Sequence, residues 1–386
     1  MRIQEIQFHD KDSDWQLAST EFFPDLTLLV GVSGVGKTRI LRAVSALRDI
    51  AEGDDDEFFW GASWETRFEA VDGSEYCWRG AFEERESSND GNNVEDDFPV
   101  VWTSSRKTKP RPKVLEEFLF KDGQPIVERD NGVIRLRGEP TPKLSPYESA
   151  VNILSEEDEV SSVHNAFKQV LSVDHSESPA HYTPVPGFEH LCTEFDTLEK
   201  IRNCKFSTKT KLGLVHENDL GTFNRIMGRF MDVFPQVQEV DIRRMEGLPF
   251  AILQIRIKEQ GVGKWIPEHR ISSGMSRTLL HLSRMALLPD GMVVLIDEFE
   301  NSLGVNCLDF VTNDLVDESN RFQFIITSHH PYIINNIDTR HWKLVVRAGS
   351  VVSTRNSTDF GLEQSRHEGF IKLMNLPQYQ EGIAVE

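Results

Sequence analysis

The pattern of apolar and polar positions predicts a β-rich N-terminal third. Apolar runs at about 1–8 and 25–30 are typical of strands, and an amphipathic stretch after the second run predicts a helix. Alternating positions over 63–82 surround a turn at 72–73, and a turn at 130–132 separates two further short strands. Both turns carry an Asp-Gly or Asn-Gly pair, so two β-hairpins are expected.

The pattern then becomes helical from 145 to 235, which we interpret as an inserted helical lobe with a proline-rich loop at about 176–188. No heptad repeat persists there, so no long coiled-coil arm is expected. Strands return at 237–243 and 251–258. These changes predict four parts: an N-terminal lobe (1–144), the helical insertion (145–235), a C-terminal lobe (236–346) and a C-terminal tail (347–386).

Composition indicates a globular chain. Of the 386 residues, 39% are hydrophobic, which suffices for a full core. No apolar stretch approaches the roughly 20 residues that cross a bilayer, and the N-terminus is typical of a strand, so a cytoplasmic location without membrane contact is expected.

The charge argues against a protein that holds DNA along most of its surface, because the formal net charge is −20. Acidic runs at 52–57 and 83–97 predict solvated loops. The net charge does not exclude a local basic groove elsewhere on the protein.

A phosphate-binding loop follows the second predicted strand. The pattern G-x-x-x-x-G-K-[ST] is complete, and its members are Gly31, Val32, Ser33, Gly34, Val35, Gly36, Lys37 and Thr38. Glycines let backbone N–H groups approach phosphate oxygens, Lys37 can neutralise phosphate charge during catalysis, and Thr38 can ligate Mg²⁺. The sequence therefore predicts a site for ATP with Mg²⁺.

Two carboxylates end a second apolar strand, Val293-Val294-Leu295-Ile296, in the manner of a Walker B segment. Asp297 would hold Mg²⁺ through water, and Glu298 would polarise the attacking water. The alternative is a buried strand that ends in ordinary solvated acids. After a complete phosphate loop, the catalytic interpretation is favoured.

Two further motifs flank that strand. Ser273, Gly274 and Met275 begin a predicted helix, whose free N–H groups suit the γ-phosphate of a nucleotide held by a second copy. Taken alone, such a sequence is more often a simple N-cap. Downstream, the apolar strand at 322–327 leads to His329, which could contact the γ-phosphate at the carboxyl edge of the sheet.

The order of these four motifs resembles that of the ATP-binding cassette ATPases, and within them the SMC-like and OLD-like branch of soluble ATPases. Residues 296–303 are similar to that branch's D-E-x-E-N-x-L, and 327–331 to its T-T-H-S-P. The resemblance covers 1–48 and 265–340. It implies an α/β fold, a P-loop NTPase with an ABC-ATPase-like head, an antiparallel β-subdomain and the inserted helical lobe.

The chain departs from the family at two points. Ser273-Gly274-Met275-Ser276 stands where transporters have S-G-G-Q, and Leu303 is followed by Gly304-Val305 where the family has His-Pro. These departures affect the contacts that a second subunit makes with the nucleotide. Slow ATP turnover is therefore expected.

The resemblance also implies partners. Such heads bury ATP between two copies, so a homodimer or higher oligomer formed through the ATP site is expected. OLD-like proteins carry a nuclease domain after the ATPase, and the 56 residues after His330 are too few for one. Stand-alone ATPases of this kind resemble the sensor or regulator subunits of two-gene bacterial anti-phage systems, with a phage-derived trigger and a separate, nuclease-like effector. The C-terminal tail is then a candidate docking segment.

A RecF-like DNA-repair ATPase that binds DNA directly is the alternative function. The net charge weighs against it, and salt-dependent DNA binding would distinguish the two. Transport is the third interpretation and would require a membrane partner.

Overall fold

The computed structural model describes residues 1–54, 59–85, 111–173, 183–245, 250–301, 303–362 and 365–383. Its strands are β1 (Arg2–Asp10), β2 (Trp15–Glu21), β3 (Leu26–Val30), β4 (Ala62–Glu69), β5 (Glu75–Phe82), β6 (Val114–Lys121), β7 (Gln124–Asp130), β8 (Val133–Leu136), β9 (Glu139–Pro140), β10 (Val170–Val173), β11 (Thr183–Val185), β12 (Val237–Met245), β13 (Ala251–Glu259), β14 (Ile266–Pro267), β15 (Val293–Ile296), β16 (Gln323–Thr327), β17 (Trp342–Ala348) and β18 (Val351–Asn356).

Helices cover the sheets formed by these strands. They are α1 (Lys37–Glu52), α2 (Ala150–Ile153), α3 (Asp158–Phe167), α4 (Phe188–Glu194), α5 (Leu198–Asn203), α6 (Thr208–Asn218), α7 (Leu220–Val233), α8 (Ser273–Leu287), α9 (Val305–Glu318), α10 (Pro331–Asn336), α11 (Arg366–Asn375) and α12 (Pro377–Glu381). Within the described ranges, no helix is both long and apolar enough to cross a lipid bilayer.

One large mixed sheet organises the molecule. Its fourteen strands run in the order β10-β15-β16-β3-β17-β18-β2-β1-β4-β5-β6-β7-β8-β9. The first five are mutually parallel, and every pairing from β2 to β9 is antiparallel. A second, antiparallel sheet contains β11, β13, β12 and β14. This confirms the predicted α/β fold with its antiparallel β-rich part.

The parallel strands are buried on both faces, as strands between two helical layers must be. On β3, Leu26, Leu28 and Val30 face one core, whereas Leu29 faces the other. β15 divides its four buried side chains in the same way. Helices α1 and α3 contribute to one core, and α6 to α10 contribute to the other. The carboxyl ends of β3, β15 and β16 therefore meet at one edge of a rigid layer.

Both predicted hairpins are confirmed. β4 pairs with β5 across the turn at 72–73, and β7 pairs with β8 across the turn at 130–132. The glycine of each turn has a positive φ, which explains the choice of residue.

The stretch 145–235, predicted to be a helical lobe with a loop, also contains strands, which the sequence did not predict. Two strands interrupt it, and β10 pairs in parallel with β15 at the edge of the main sheet. The C-terminal tail likewise contributes β18, which lies between β17 and β2. Both segments are thus parts of the main sheet. The four domain boundaries themselves stay a prediction.

Parts of three predicted loops lie outside the described residues. The acidic run at 52–57 is described only to 54, and the run at 83–97 only to 85. The loop at 176–188 is described from 183 onward, where β11 begins.

Candidate functional site

The phosphate loop connects β3 to α1 at the edge of the parallel strands. Its glycines Gly34 and Gly36 have φ values of +80° and +116°, a region that other residues rarely adopt. Space is also limited, because a Cβ on Gly31 would lie 2.9 Å from the carbonyl oxygen of Val345. A Cβ on Gly36 would lie 2.8 Å from a methyl group of Val352. The strands behind the loop therefore require glycine.

Lys37 is buried at the first position of α1, with 5% of its surface exposed. Its Nζ donates hydrogen bonds to the carbonyl oxygens of Gly31 (2.7 Å) and Val32 (2.9 Å), so the side chain folds back over the loop. Burial lowers the pKa of Lys37 to about 8, although the carboxylates of Asp297 and Glu300 favour its charge. Phosphate oxygens would supply the negative charge that this desolvated ammonium lacks.

Asp297 connects the loop to the neighbouring strands. Its Oδ2 accepts a hydrogen bond from the hydroxyl of Thr38 at 2.8 Å, and its Oδ1 accepts one from Thr327 at 2.7 Å. Thr327 ends β16, which pairs in parallel with β15, so the contact between Thr327 and Asp297 follows from the register of these two strands. The predicted pair of Mg²⁺ ligands, Thr38 and Asp297, is therefore brought together.

Glu298 lies directly beside Asp297 but in a different environment. Its side chain is exposed, and its φ of +46° is unusual for a residue other than glycine. Its backbone N–H donates to Oγ1 of Thr327 at 2.8 Å, so a single hydroxyl holds both acidic residues. This turn ends the strand and separates the two carboxylates. Strained backbone of this kind is typical of functional sites.

His329 follows β16 and is half-buried. Its backbone N–H donates to Oε1 of Glu300 at 2.7 Å. Burial, and then the positive charge of Lys37, lowers the pKa of the His329 imidazole, so the ring is neutral at pH 7. The second oxygen of Glu300, Oε2, is buried and has no hydrogen-bond partner within the described chain. Glu300 thus holds the backbone of His329, and its negative charge favours the ammonium of Lys37.

The signature residues lie apart from this group. Ser272 caps α8, and its hydroxyl accepts a hydrogen bond from the N–H of Met275 at 3.2 Å. Ser273 is exposed, whereas Met275 is buried in the core. Among the described residues, no hydrogen bond or ion pair connects Ser273, Gly274 or Met275 with the phosphate loop of the same chain. Their predicted contact with a nucleotide stays a prediction.

The residues fit ATP and Mg²⁺. Hydroxyl and carboxylate oxygens are ligands that Mg²⁺ prefers, and Mg²⁺ takes its remaining ligands from phosphates and water. The described part of the chain contains no cluster of three or more His, Cys, Asp or Glu that could hold a metal without such help. The glycine cradle, the buried Lys37 and the Thr38–Asp297 pair together provide the chemistry that a triphosphate and its cation require.

Two residues of the site were not assigned from the sequence. Thr327 and Glu300 stand inside the segments 327–331 and 296–303, whose motifs predict a role only for His329 and the first two acids. The available signal was position: Thr327 is the last strand residue beside Asp297, and Glu300 is the third acid of its motif.

The chain matches a known protein family and is similar to several solved structures. Residues 26–335 match the family described as "AAA domain, putative AbiEii toxin, Type IV TA system". No match was found among curated protein sequences. Three solved structures are similar to the chain and come from SMC head domains.

The first is an SMC head bound to the C-winged helix domain of ScpA, with 14% identity, 92% of this chain and 97% of that chain covered, and a TM-score of 0.47. The second is the SMC head domain from Thermotoga maritima, with 14% identity, 92% and 99% covered, and a TM-score of 0.44. The third is an SMC head with an extended coiled coil, bound to the C-terminal domain of ScpA derived from Pyrococcus furiosus, with 13% identity, 97% and 99% covered, and a TM-score of 0.42. The family match extends from the strand before the phosphate loop to the helix after His329, and the chain belongs to this AAA domain family.

Proposed function

We propose that the protein binds ATP with Mg²⁺, hydrolyses it slowly to ADP and phosphate, and uses ATP occupancy to control its association with protein partners in the cytoplasm. One observation carries the proposal. Asp297 accepts hydrogen bonds from both Thr38 and Thr327, so the phosphate loop and the two carboxylates after β15 form one site. AAA domains use such a site for nucleoside triphosphates.

The side chains divide the work of hydrolysis. Lys37 neutralises charge on the phosphates, and Thr38 and Asp297 hold Mg²⁺, which when bound stabilises charge on the phosphate oxygens. Glu298, exposed beside the site, polarises the attacking water. His329 has a lowered pKa, and its neutral imidazole contacts the γ-phosphate. ATP turnover is slow because the signature reads Ser273-Gly274-Met275-Ser276 where transporters have S-G-G-Q.

A second copy completes the site. Ser273 is exposed at the N-terminus of the 15-residue helix α8, and no hydrogen bond or ion pair joins the signature to its own phosphate loop within the described residues. In the proposed homodimer or higher oligomer, each α8 N-terminus faces the nucleotide of the other copy. Association is then favoured by ATP and lost after hydrolysis.

We further propose that the protein is the sensor or regulator subunit of a bacterial anti-phage system, with a phage-derived trigger and a separate, nuclease-like effector. The family description names a toxin of a toxin–antitoxin system, which supports an arrangement of more than one component. The C-terminal segment supplies a docking surface: Ile371, Met374 and Ile383 are 47%, 40% and 53% exposed.

That segment also contacts the nucleotide site. Gly382 accepts a hydrogen bond from the N–H of Arg347, and a Cβ on Gly382 would lie 2.5 Å from a methyl group of Val32 in the phosphate loop. A change in the loop on ATP binding would therefore reach the docking surface. This contact supports the coupling of nucleotide state to the effector.

The first experiment measures association. A Glu298→Gln variant retains ATP because hydrolysis is blocked, so light scattering should report a dimer or larger oligomer with ATP and a monomer without it. A Lys37→Ala/Glu298→Gln variant is the control and should stay monomeric. A Glu298→Gln protein that is monomeric under both conditions would contradict the proposed association.

The second experiment concerns the effector. The protein should co-purify with the product of the neighbouring gene in an ATP-dependent manner. Ile371→Asp should weaken this association, whereas Val262→Asp, at a 39% exposed position away from the tail, should not. Absence of a complex with and without ATP would contradict the regulator role but leave the ATPase untouched.

A further inference from the structure

A cleft of about 580 Å³ opens at the end of the sheet opposite the nucleotide site. Its walls are the α3–β10 junction, the connection from α5 to α6 and the connection from α8 to β15. Met292 lines it directly before β15, whereas Asp297 follows the same strand at its other end. The volume lies in the range of small-molecule sites.

Positive charge dominates this basic cleft. The cationic residues that line it are Lys168, Arg202, Lys205, Lys211 and Arg284. Asp290 is the only acidic residue among the lining residues, and its carboxylate is bound by Arg321 at 2.8 Å. Five cations thus converge in a chain whose net charge is −20. Such a concentration creates a field that attracts anions.

Lys211 is the buried one of the five cations, with 7% of its surface exposed. Its Nζ donates to the carbonyl oxygens of Arg202 (2.6 Å) and Leu287 (3.4 Å), and no carboxylate pairs with it within the described chain. Burial lowers the pKa of Lys211. A buried cation without a counter-ion is energetically unfavourable, and an anion in the cleft would compensate it.

Lys168 and Lys205 are exposed at the mouth. Burial, and next the positive charge of Lys168, lowers the pKa of His164; Glu52 and Glu156 oppose that shift, and Lys205 adds a smaller effect in the same direction as Lys168. The ammonium of Lys168 donates to Oδ1 of Asn165 at 3.4 Å, and neither lysine has an ion-pair partner in the described ranges. Both are available for a ligand.

About half of the remaining lining residues are apolar. Leu171, Phe206, Leu287, Leu288 and Met292 contribute to it. The Phe206 ring is half-buried and packs edge-on against another aromatic ring at 5.3 Å. A cleft that combines cations with apolar groups suits a ligand with a charged end and a flat apolar body.

We propose that the basic cleft binds a small phosphorylated ligand of the nucleoside monophosphate kind, in addition to the ATP of the phosphate loop. The phosphate contacts Lys168 and Lys205 at the mouth and approaches Lys211. The base lies on the apolar lining beside Phe206. The ligand is either a free nucleotide or the 5′-phosphorylated end of a nucleic acid strand, since both present the same group.

Calorimetry with 5′-AMP tests the proposal. The full-length protein is first saturated with Mg²⁺ and a non-hydrolysable ATP analogue, so that the phosphate loop is occupied; Lys37→Ala protein provides a second background. AMP should bind and adenosine should not. Lys168→Ala/Lys205→Ala should weaken AMP binding by about tenfold or more, because two charge-assisted contacts are lost.

The matched control is Lys143→Ala/Lys264→Ala, which removes two exposed lysines elsewhere and should leave AMP binding unchanged. Binding of a 5′-phosphorylated oligonucleotide but not of free AMP, with the same loss in the cleft variant, would support the strand end as the source. No AMP or oligonucleotide binding, equal binding of adenosine, or unchanged affinity in the cleft variant would overturn the proposal. If orthophosphate bound with the same affinity as AMP, the proposed contact of the base with the apolar lining would be overturned. None of these readouts depends on ATP hydrolysis.

Discussion

Thr38 donates a hydrogen bond to Oδ2 of Asp297 at 2.8 Å, across 259 residues of sequence. The first turn of α1 is thereby joined to the end of β15. Because Thr327 binds the other oxygen of the same carboxylate, Asp297 is held from two sides before any nucleotide arrives. Preorganised oxygen ligands lower the cost of binding a cation.

Removal of the Thr38 hydroxyl should therefore affect Mg²⁺ more than ATP itself. In Thr38→Ala, the affinity for ATP in the presence of Mg²⁺ should fall by at least about tenfold, whereas the affinity in EDTA should change little. Thr38→Ser keeps the hydroxyl and serves as the control. Equal Mg²⁺-dependent affinities in Thr38→Ala and the wild-type protein would contradict the assigned ligand role.

The lowered pKa of Lys37 predicts a pH dependence of ATP binding. In the free protein the ammonium loses its proton at a pH of about 8, whereas bound phosphates raise its pKa. ATP affinity should be constant below that pH and should fall by up to about tenfold per pH unit above it. Lys37→Arg keeps its charge throughout, so its affinity should not vary over the same range. A parallel decline in Lys37→Arg would show that another group is responsible.

Local sequence patterns predicted the elements that carry the phosphate loop, because the strand, the glycines and the amphipathic helix are consecutive. They did not predict β10: four residues, Val-Leu-Ser-Val, are too few to show a period and lie beside helices. Nor could they predict that Val352 packs behind Gly36, since that contact depends on the pairing of distant strands.

The same limit applies to the chemistry. The motifs identified Asp297, Glu298 and His329, whereas the contacts of Thr327 and Glu300 required the register of β15 and β16. The basic cleft is assembled from three segments that are far apart in the sequence. The positive charge of the cleft could not be predicted from the composition, because the chain as a whole is strongly acidic.

Two glycines of the loop should respond differently to alanine. Gly34 has a φ of +80° with nothing near its Cβ position, so Gly34→Ala should cost about 1–3 kcal/mol of unfolding free energy through backbone strain alone. Gly36→Ala adds a contact at 2.8 Å with Val352 and should cost about 1–3 kcal/mol more. Denaturant unfolding without nucleotide measures both. Equal losses would mean that the loop moves away from Val352.

Substitutions of Glu300 can separate its hydrogen bond to the His329 backbone from the effect of its charge on Lys37. Its Oε1 accepts the hydrogen bond of the His329 backbone, and its negative charge favours the ammonium of Lys37. Glu300→Gln keeps an acceptor oxygen but removes the charge, so ATP turnover at neutral pH should stay near that of the wild-type protein. Glu300→Ala removes both, and its kcat should fall with little change in ATP affinity.

The charge effect should appear in the pH profile of ATP binding. Without the Glu300 carboxylate, the pKa of Lys37 falls further, so the affinity of Glu300→Gln should begin to decline at a lower pH than that of the wild-type protein. Glu298→Gln should shift the decline less, because Glu298 contributes less than Glu300 to the charge balance of Lys37. Calorimetric titrations from pH 6 to 9 measure both shifts. A larger shift in Glu298→Gln would reverse the order of influence that the structure gives to the two carboxylates.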